Sequence, residues 1–258
     1  MQNALLVGLS RQMALSRELD IVANNIANID TNGYKADNAA FSQFLSSGAS
    51  DGEFNGNDRR ISFVQDRASW IDLSAGAIER TGNPLDVAID GNGYLVVQTT
   101  CGKRYTRNGA LAINGSGQLV TSQGDPVLGT SGPITFQSTD HNVSISPNGI
   151  ITVREGASNV DAPRGQLQIV GFDKPRQLQK DGGSTFTAPD GVNATPPPPG
   201  TRVVQGAVEK SNVRAVIEMT RMIEITRSYT EIGAILQQQG DQRRNALQQL
   251  AQAPGPSS

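Results

Sequence analysis

The sequence predicts an α+β fold. Long N- and C-terminal helices pack as a coiled-coil-like pair, and the chain between them forms a central all-β domain, an antiparallel sheet or barrel. Two observations predict this. Apolar residues recur at alternating spacings of three and four near both ends of the chain. Between those ends, short β-branched runs alternate closely with Gly- and Asn-containing turns, the pattern of an antiparallel sheet. The expected organisation is a discontinuous helical domain (1–30 with 206–245), an extended connector (31–75), a β domain (76–195), a Pro-rich return linker (195–205) and a disordered tail (246–258).

Residues 3 to 29 read as one helix. Leu5, Leu9, Gln12, Ser16, Leu19, Ala23 and Ile26 keep a heptad rhythm, and Leu6, Met13, Leu15, Val22 and Ile29 widen the apolar arc. Such a helix is about 40 Å long, and its wide apolar face needs partners. It runs into Ala23-Asn24-Asn25-Ile26-Ala27-Asn28-Ile29-Asp30-Thr31-Asn32-Gly33-Tyr34-Lys35. Asn24, Asn25 and Asn28 place amides beside the apolar face, where they can hydrogen-bond a neighbouring chain. Asp30-Thr31-Asn32-Gly33 supplies the chemistry of a helix stop, with Gly33 free to take positive φ.

Residues 31–75 carry mixed signals. Ser46 to Gly52 has loop composition, while Ile61-Ser62-Phe63-Val64 and Trp70-Ile71-Asp72-Leu73 are strand candidates. In the β region, Leu85–Ile89 and Tyr94–Thr99 flank Asp90-Gly91-Asn92-Gly93, which reads as the turn of a strand pair. Residues 103–107, 110–113, 118–121, 143–145, 150–153 and 167–172 add short strands. Thr195-Pro196-Pro197-Pro198-Pro199-Gly200 is a stiff spacer. The last helical pattern begins near Gly206, through Val208, Asn212, Ala215, Met219, Met222, Thr226, Tyr229, Gly233 and Leu236. Val216, Ile217, Ile223, Ile225, Ile232 and Ile235 broaden it.

Composition excludes several functions. With 258 residues, a net charge of −2 and 5% aromatics, nothing draws the chain to nucleic acid. No stretch approaches the apolar length needed for membrane insertion. The N-terminus lacks the basic region of a cleaved signal peptide. Cys101 is the single cysteine, which rules out an internal disulfide and any multi-cysteine metal site. Gly48-Ala49-Ser50-Asp51-Gly52 matches a nucleophile elbow formally, and His141 stands beside Asp140, the elements of a secreted serine hydrolase. Polar loop surrounds Ser50 where a strand and a helix are required, so the chain is expected not to be an enzyme. Asp90-Gly91-Asn92-Gly93 fails as a calcium loop, since Tyr94 and Cys101 fall where oxygen ligands are needed. No metal or cofactor is expected.

Periodicity alone leaves the terminal helices open to two readings, a closed hairpin or packing against neighbouring subunits. The Asn-rich run resembles the N-terminal motif of bacterial flagellar rod and hook proteins. Gly76-Ala77-Ile78-Glu79-Arg80-Thr81-Gly82-Asn83-Pro84-Leu85-Asp86-Val87-Ala88-Ile89-Asp90-Gly91-Asn92-Gly93-Tyr94 is similar to a second segment of that family. Arg104-Tyr105-Thr106-Arg107-Asn108-Gly109-Ala110 extends the match, and Gln205-Gly206-Ala207-Val208-Glu209-Lys210-Ser211-Asn212-Val213 resembles a third motif. The chain departs from the pattern at Tyr229-Thr230, where many members carry an acidic residue that here comes one place later, at Glu231.

The resemblance implies a structural subunit of the basal-body rod. Its terminal helices would line a shared tube around the export channel, and its β domain would project outward. Torque would pass through the assembly. Implied partners are proximal and distal rod proteins, further copies of the chain and the flagellar export apparatus, with export to the periplasmic rod without signal cleavage. The opening Met1–Gln12 resembles a proximal-rod member more than a distal one. The implied interface comprises Leu5, Leu9, Met13, Leu19, Ala23, Asn24, Asn25, Ile26, Asn28, Thr31 and Gly33. From the C-terminal helix it takes Ser211, Asn212, Val213, Met219, Met222, Ile225, Tyr229 and Leu236.

Overall fold

A computed structural model describes residues 2–46, 61–156 and 160–252, with side chains at 7–40, 69–156, 160–245 and 248. The chain divides into two compact units. One comprises Met1–Ile26, Asp37–Trp70 and Ala215–Ser258, and the other Ala27–Ala36 and Ile71–Arg214. The class is α+β, with a helix first, a β-rich middle and a helix last.

The first unit is built on α1 (Gln2–Ala27) and α2 (Ala215–Gln252). Their contacts run antiparallel. Gly8 lies so close to Leu236 that an added Cβ would stand 2.6 Å from a leucine methyl. Arg221 donates to Glu18 at 2.8 and 3.0 Å, and Asn25 to Glu218 at 3.5 Å. The Arg221–Glu18 pair is partly solvated and contributes about 0–1 kcal/mol, so its role is more in register than in stability. The same unit contains β1 (Asp37–Ser46) and all but the last residue of β2 (Ile61–Ile71), paired as a two-stranded sheet within the residues read above as a connector.

The β-rich unit opens with β3 (Ile78–Arg80), β4 (Val87–Asp90), β5 (Tyr94–Thr99) and β6 (Gly102–Thr106). There follow β7 (Leu111–Ile113), β8 (Leu119–Thr121), β9 (Leu128–Gly129), β10 (Gly132–Pro133), β11 (Asp140–Ile145) and β12 (Ile150–Glu155). The remainder are β13 (Asp161–Gln166), β14 (Ile169–Phe172), β15 (Gln179–Lys180), β16 (Thr185–Thr187), β17 (Ala194–Thr195), β18 (Arg202–Gln205) and β19 (Ala207–Glu209). The largest sheet has the order β15-β16-β6-β5-β14-β17, antiparallel at each pairing.

Strand β5 explains why the unit holds together. Side chains alternate across a strand, and here both faces are apolar. Leu95 and Val97 enter one core with Val87, Leu119, Ile151 and Leu167. Tyr94 and Val96 enter a second core with Val170, Leu178 and Phe186. Tyr94 meets Phe172 and Phe186 edge-on, with centroids at 5.5 and 5.7 Å.

Several features differ from the reading of the sequence, including the strands β1, β3, β9, β10 and β15–β17, which it did not anticipate. The last helix starts at Ala215, not near Gly206, because Ala207–Glu209 pairs with β3 instead. Strands β4 and β5 are not partners; β4 pairs with β18, which occupies the end of the Pro-rich linker, and β5 with β6 and β14. Strand β13 was not expected, since Pro163 and Gly165 disguise it. It lies at the edge of the β11-β12-β13 sheet, where a missing amide donor is tolerated. Helix α2 continues to Gln252, into the expected tail, and residues 253–258 lie outside the described residues.

Leu95→Ala should destabilise the β-rich unit by about 2–5 kcal/mol, measured by urea unfolding of the full chain. Lys103→Ala, at an exposed strand position, should stay within about 0.5 kcal/mol.

Candidate functional site at the motif junction

Helix α1 stops where its sequence changes character. The Asn28 side-chain oxygen accepts the Thr31 hydroxyl at 3.1 Å, and the Thr31 and Tyr34 amides close successive turns. Gly33 then adopts φ +70°, and a Cβ there would sit 2.4 Å from the Asn108 backbone nitrogen. Both facts demand glycine. The turn delivers Tyr34 and Lys35 into the interior, where each is about 1% exposed.

Lys35 ends in a buried ionic cluster. Its ammonium donates to Glu209 Oε1 and to the Ser74 carbonyl, both at 2.6 Å. Arg107 Nε donates to the other carboxylate oxygen at 2.6 Å. The Gly76 amide also donates to Glu209 Oε1 at 2.9 Å. Glu209 is 1% exposed and Arg107 5%. The rest of the guanidinium is held by backbone carbonyls, with Nη1 donating to Gly91 and Gly93 at 2.8 Å and Nη2 to Ile89 at 3.1 Å. The Asp90–Gly93 segment therefore curls around a guanidinium and is not the turn of a hairpin. Desolvation pushes the Lys35 ammonium below its ordinary pKa; Glu209 opposes the shift and Arg107 adds to it. Burial pushes the Tyr94 phenol up.

Two asparagine amides act as substitutes for peptide groups. Asn25 is fully buried and engages the backbone of Asp37 both ways at 2.9 Å, donating to its carbonyl and accepting its amide. Asn212 accepts the Ala36 amide at 2.7 Å and donates to the Asp72 carbonyl at 2.8 Å. A carboxamide carries the same donor and acceptor as a peptide unit, so each amide completes a strand-like bridge. Loop 81–86 is similarly self-capped, with Asp86 accepting the Thr81 hydroxyl at 2.7 Å and the Asn83 amide at 2.9 Å.

The remaining interface candidates fall into distinct groups. Leu5 lies in α1, with its side chain outside the described residues. Leu9, Met13 and Asn24 are exposed; Leu19, Ala23, Ile26, Asn28 and Thr31 are half-buried, and Gly33 is buried. Ser211 and Val213 are half-buried, as is Asn212. On α2, Ile225 is buried and Met222 and Leu236 are half-buried. These share a helix face with Glu218 and Arg221, the partners of α1. Met219 and Tyr229 are exposed. At about 100° per residue, Met219 shares a second stripe with Val216, 77% exposed, and Ile223, 66% exposed. Lys35, Arg107 and Glu209 were not singled out from the sequence, although each stands inside a quoted motif. Their immediate neighbours, Asn108 and Lys210 among them, carried no local signal of burial.

Of the hydrolase elements, His141 and Asp140 fall among the described residues. Ser50 lies outside the described residues. His141 is exposed, with Nδ1 3.3 Å from the Thr139 carbonyl. Asp140 is engaged by Arg164 at 2.5 and 2.7 Å, which holds its carboxyl below the usual range. Among the described residues, no group of three or more His, Cys, Asp or Glu could hold a metal. No helix among them is long and apolar enough to cross a membrane.

Three family models match the chain. That for the flagella basal body rod protein covers residues 5–35, and that for the flagellar hook protein FlgE/F/G D1 domain covers residues 88–153. The model for the flagellar basal body rod FlgEFG protein C-terminal covers residues 204–249. Each matched segment contributes one member of the Lys35–Arg107–Glu209 cluster. The chain is 36% identical to the flagellar basal-body rod protein FlgF of Caulobacter vibrioides, covering 97% of this chain and 98% of that protein. It is 31% identical to FlgF of Mesorhizobium japonicum, over 97% and 98%. To the flagellar basal-body rod protein FlgG of Bacillus subtilis it is 31% identical, over 92% and 94%.

Glu209→Gln should destabilise the β-rich unit by about 3–5 kcal/mol, since it leaves two buried cations without their anion. Urea unfolding of the full chain measures this. Lys35 should also give stability a pH dependence of definite sign. Its pKa is lower folded than unfolded, so between the depressed value and 10.5 the unfolded chain binds the extra proton. Stability from this group therefore rises with pH across that window. Lys35→Met should flatten the rise, and because Tyr94 is common to both proteins, the difference between their profiles isolates Lys35.

Proposed function

The chain belongs to the flagellar basal-body rod protein family, and we propose that within the rod it serves as a proximal subunit. Its location as a family member is the flagellar basal body, and its role there is structural. Nothing in its relatives indicates catalysis. The likeness to FlgF over nearly the whole chain supports the proximal position; a distal-rod position is the second reading, carried by the similarity to FlgG.

The observation that carries the assembly reading is the second stripe of α2. Val216, Met219 and Ile223 expose apolar surface at helical spacing, and such surface in water is the mark of an interaction site. Leu9 and Met13 do the same on α1. In this proposal α1 and α2 pair as a coiled-coil-like hairpin through Gly8, Glu18, Leu19, Asn25, Met222, Ile225 and Leu236. The exposed stripes then face copies of this chain and the neighbouring proximal and distal rod proteins. The helices line the export channel, the β-rich unit stiffens the subunit contacts, and torque passes through the assembled shaft. The chain reaches the rod through the flagellum's own export apparatus.

Ile223→Asp or Met13→Asp should abolish incorporation into the rod while leaving the monomer folded, because each places a charge in a stripe that only assembly buries. Ile225→Asp should instead disturb the monomer itself. Circular dichroism of each purified variant and quantitative mass spectrometry of hook–basal bodies separate these outcomes. Normal incorporation of both stripe variants would remove the interface. In wild-type particles, fewer copies than the distal-rod protein supports the proximal position, and a higher abundance supports the distal one.

A further inference from the structure

The buried cluster contains two cations and one anion, and the anion comes last in the chain. Lys35 and Arg107 both depend on Glu209, which lies 102 residues after Arg107 and 174 after Lys35. The two cations are not equally dependent. Arg107 keeps three backbone carbonyls, those of Ile89, Gly91 and Gly93, whether or not Glu209 is in place. Without Glu209, Lys35 keeps one hydrogen-bond acceptor, the Ser74 carbonyl. Asp72 adds a weaker electrostatic attraction to Lys35, and its carboxylate is already used by the Ser74 amide. The backbone repeats this asymmetry. The Gly33 amide donates to the Glu209 carbonyl at 2.7 Å, and the Ala36 amide donates to the Asn212 side chain at 2.7 Å. Residues 33–36 are thus tied at several points to residues 209–212, beside the Asp72 amide on the Ala36 carbonyl at 2.8 Å and the Lys180 ammonium over the Tyr34 ring.

We propose that Glu209 is a charge lock that makes docking of the N-terminal motif, residues 27–36, conditional on placement of the final strand β19. Until β19 pairs with β3, the pocket for Lys35 holds a guanidinium and no anion, and a second buried cation is repelled. Once Glu209 arrives, it neutralises Arg107 and creates the site for Lys35 in one step. The N-terminal motif therefore docks last, although it is made first. The sign of the coupling distinguishes a charge lock from ordinary packing. Removing the anion should undock residues 33–36, whereas removing the lysine should leave a neutral Arg107–Glu209 pair and a docked segment.

Residue-resolved hydrogen exchange on the purified full-length chain tests this, with residues 94–106 as the internal reference. Glu209→Gln should accelerate exchange at residues 33–36 by about 100-fold relative to the reference, and Lys35→Met by less than about 10-fold. The double variant K35M/E209Q should recover at least about 10-fold of the protection lost in E209Q, because it leaves one buried cation in place of two. Equal effects of the two single variants, or a double variant no better protected than E209Q, would overturn the proposal. If E209Q loses protection throughout the β-rich unit, the same rescue comparison decides: recovery of fold by the added K35M supports the lock, and its absence overturns it.

Discussion

A carboxylate shared between two buried cations is the constraint on which the β-rich unit is built. Glu209 ties together three stretches that are remote in sequence, and each brings its own backbone constraint. Gly33 makes the turn that carries Lys35 inward, residues 89–93 wrap Arg107, and β19 holds Glu209 in register with β3. Buried ion pairs are weak contributors to net stability but costly to break. Such a cluster therefore specifies one arrangement of segments more than it strengthens it. Bulk stability comes from the two apolar cores that share β5.

The helical unit is organised differently. Its helices meet through a small-residue contact at Gly8, the Arg221–Glu18 ion pair and the amide of Asn25, while Val216, Met219 and Ile223 of α2 face outward. In the proposed assembly, that exposed stripe is the surface that neighbouring subunits cover. Asn25 in this unit, like Asn212 in the β-rich one, supplies both halves of a peptide-like bridge from one side chain.

The elements were readable wherever local periodicity decided them. The N-terminal helix, its stop at Asp30–Gly33 and about half of the strands followed from spacing and turn chemistry. Several of the failures share a cause, which is pairing between residues far apart in sequence. Val208 and Asn212 fit a helical spacing by coincidence, and only pairing with β3 makes a strand of Ala207–Glu209. Asp90–Gly93 has the composition of a hairpin turn, yet Arg107 sets its shape. Asn25 sits beside the apolar face as its position implied, but its amide turns to Asp37 of its own chain. Of the junction, Gly33 was legible because positive φ has a compositional signature. Lys35, Arg107 and Glu209 were not, because nothing local distinguishes a buried charge from a solvated one.

The loop at residues 89–93 has one more consequence. Its Gly- and Asn-rich backbone presents carbonyl oxygens inward, an arrangement other loops use to hold a dissolved cation. Here the cation is a guanidinium attached to the same polymer. A tethered ion has no dissociation constant and no competitor in the surrounding fluid, so the loop keeps its shape whatever the divalent content of the compartment, and chelators have nothing to remove.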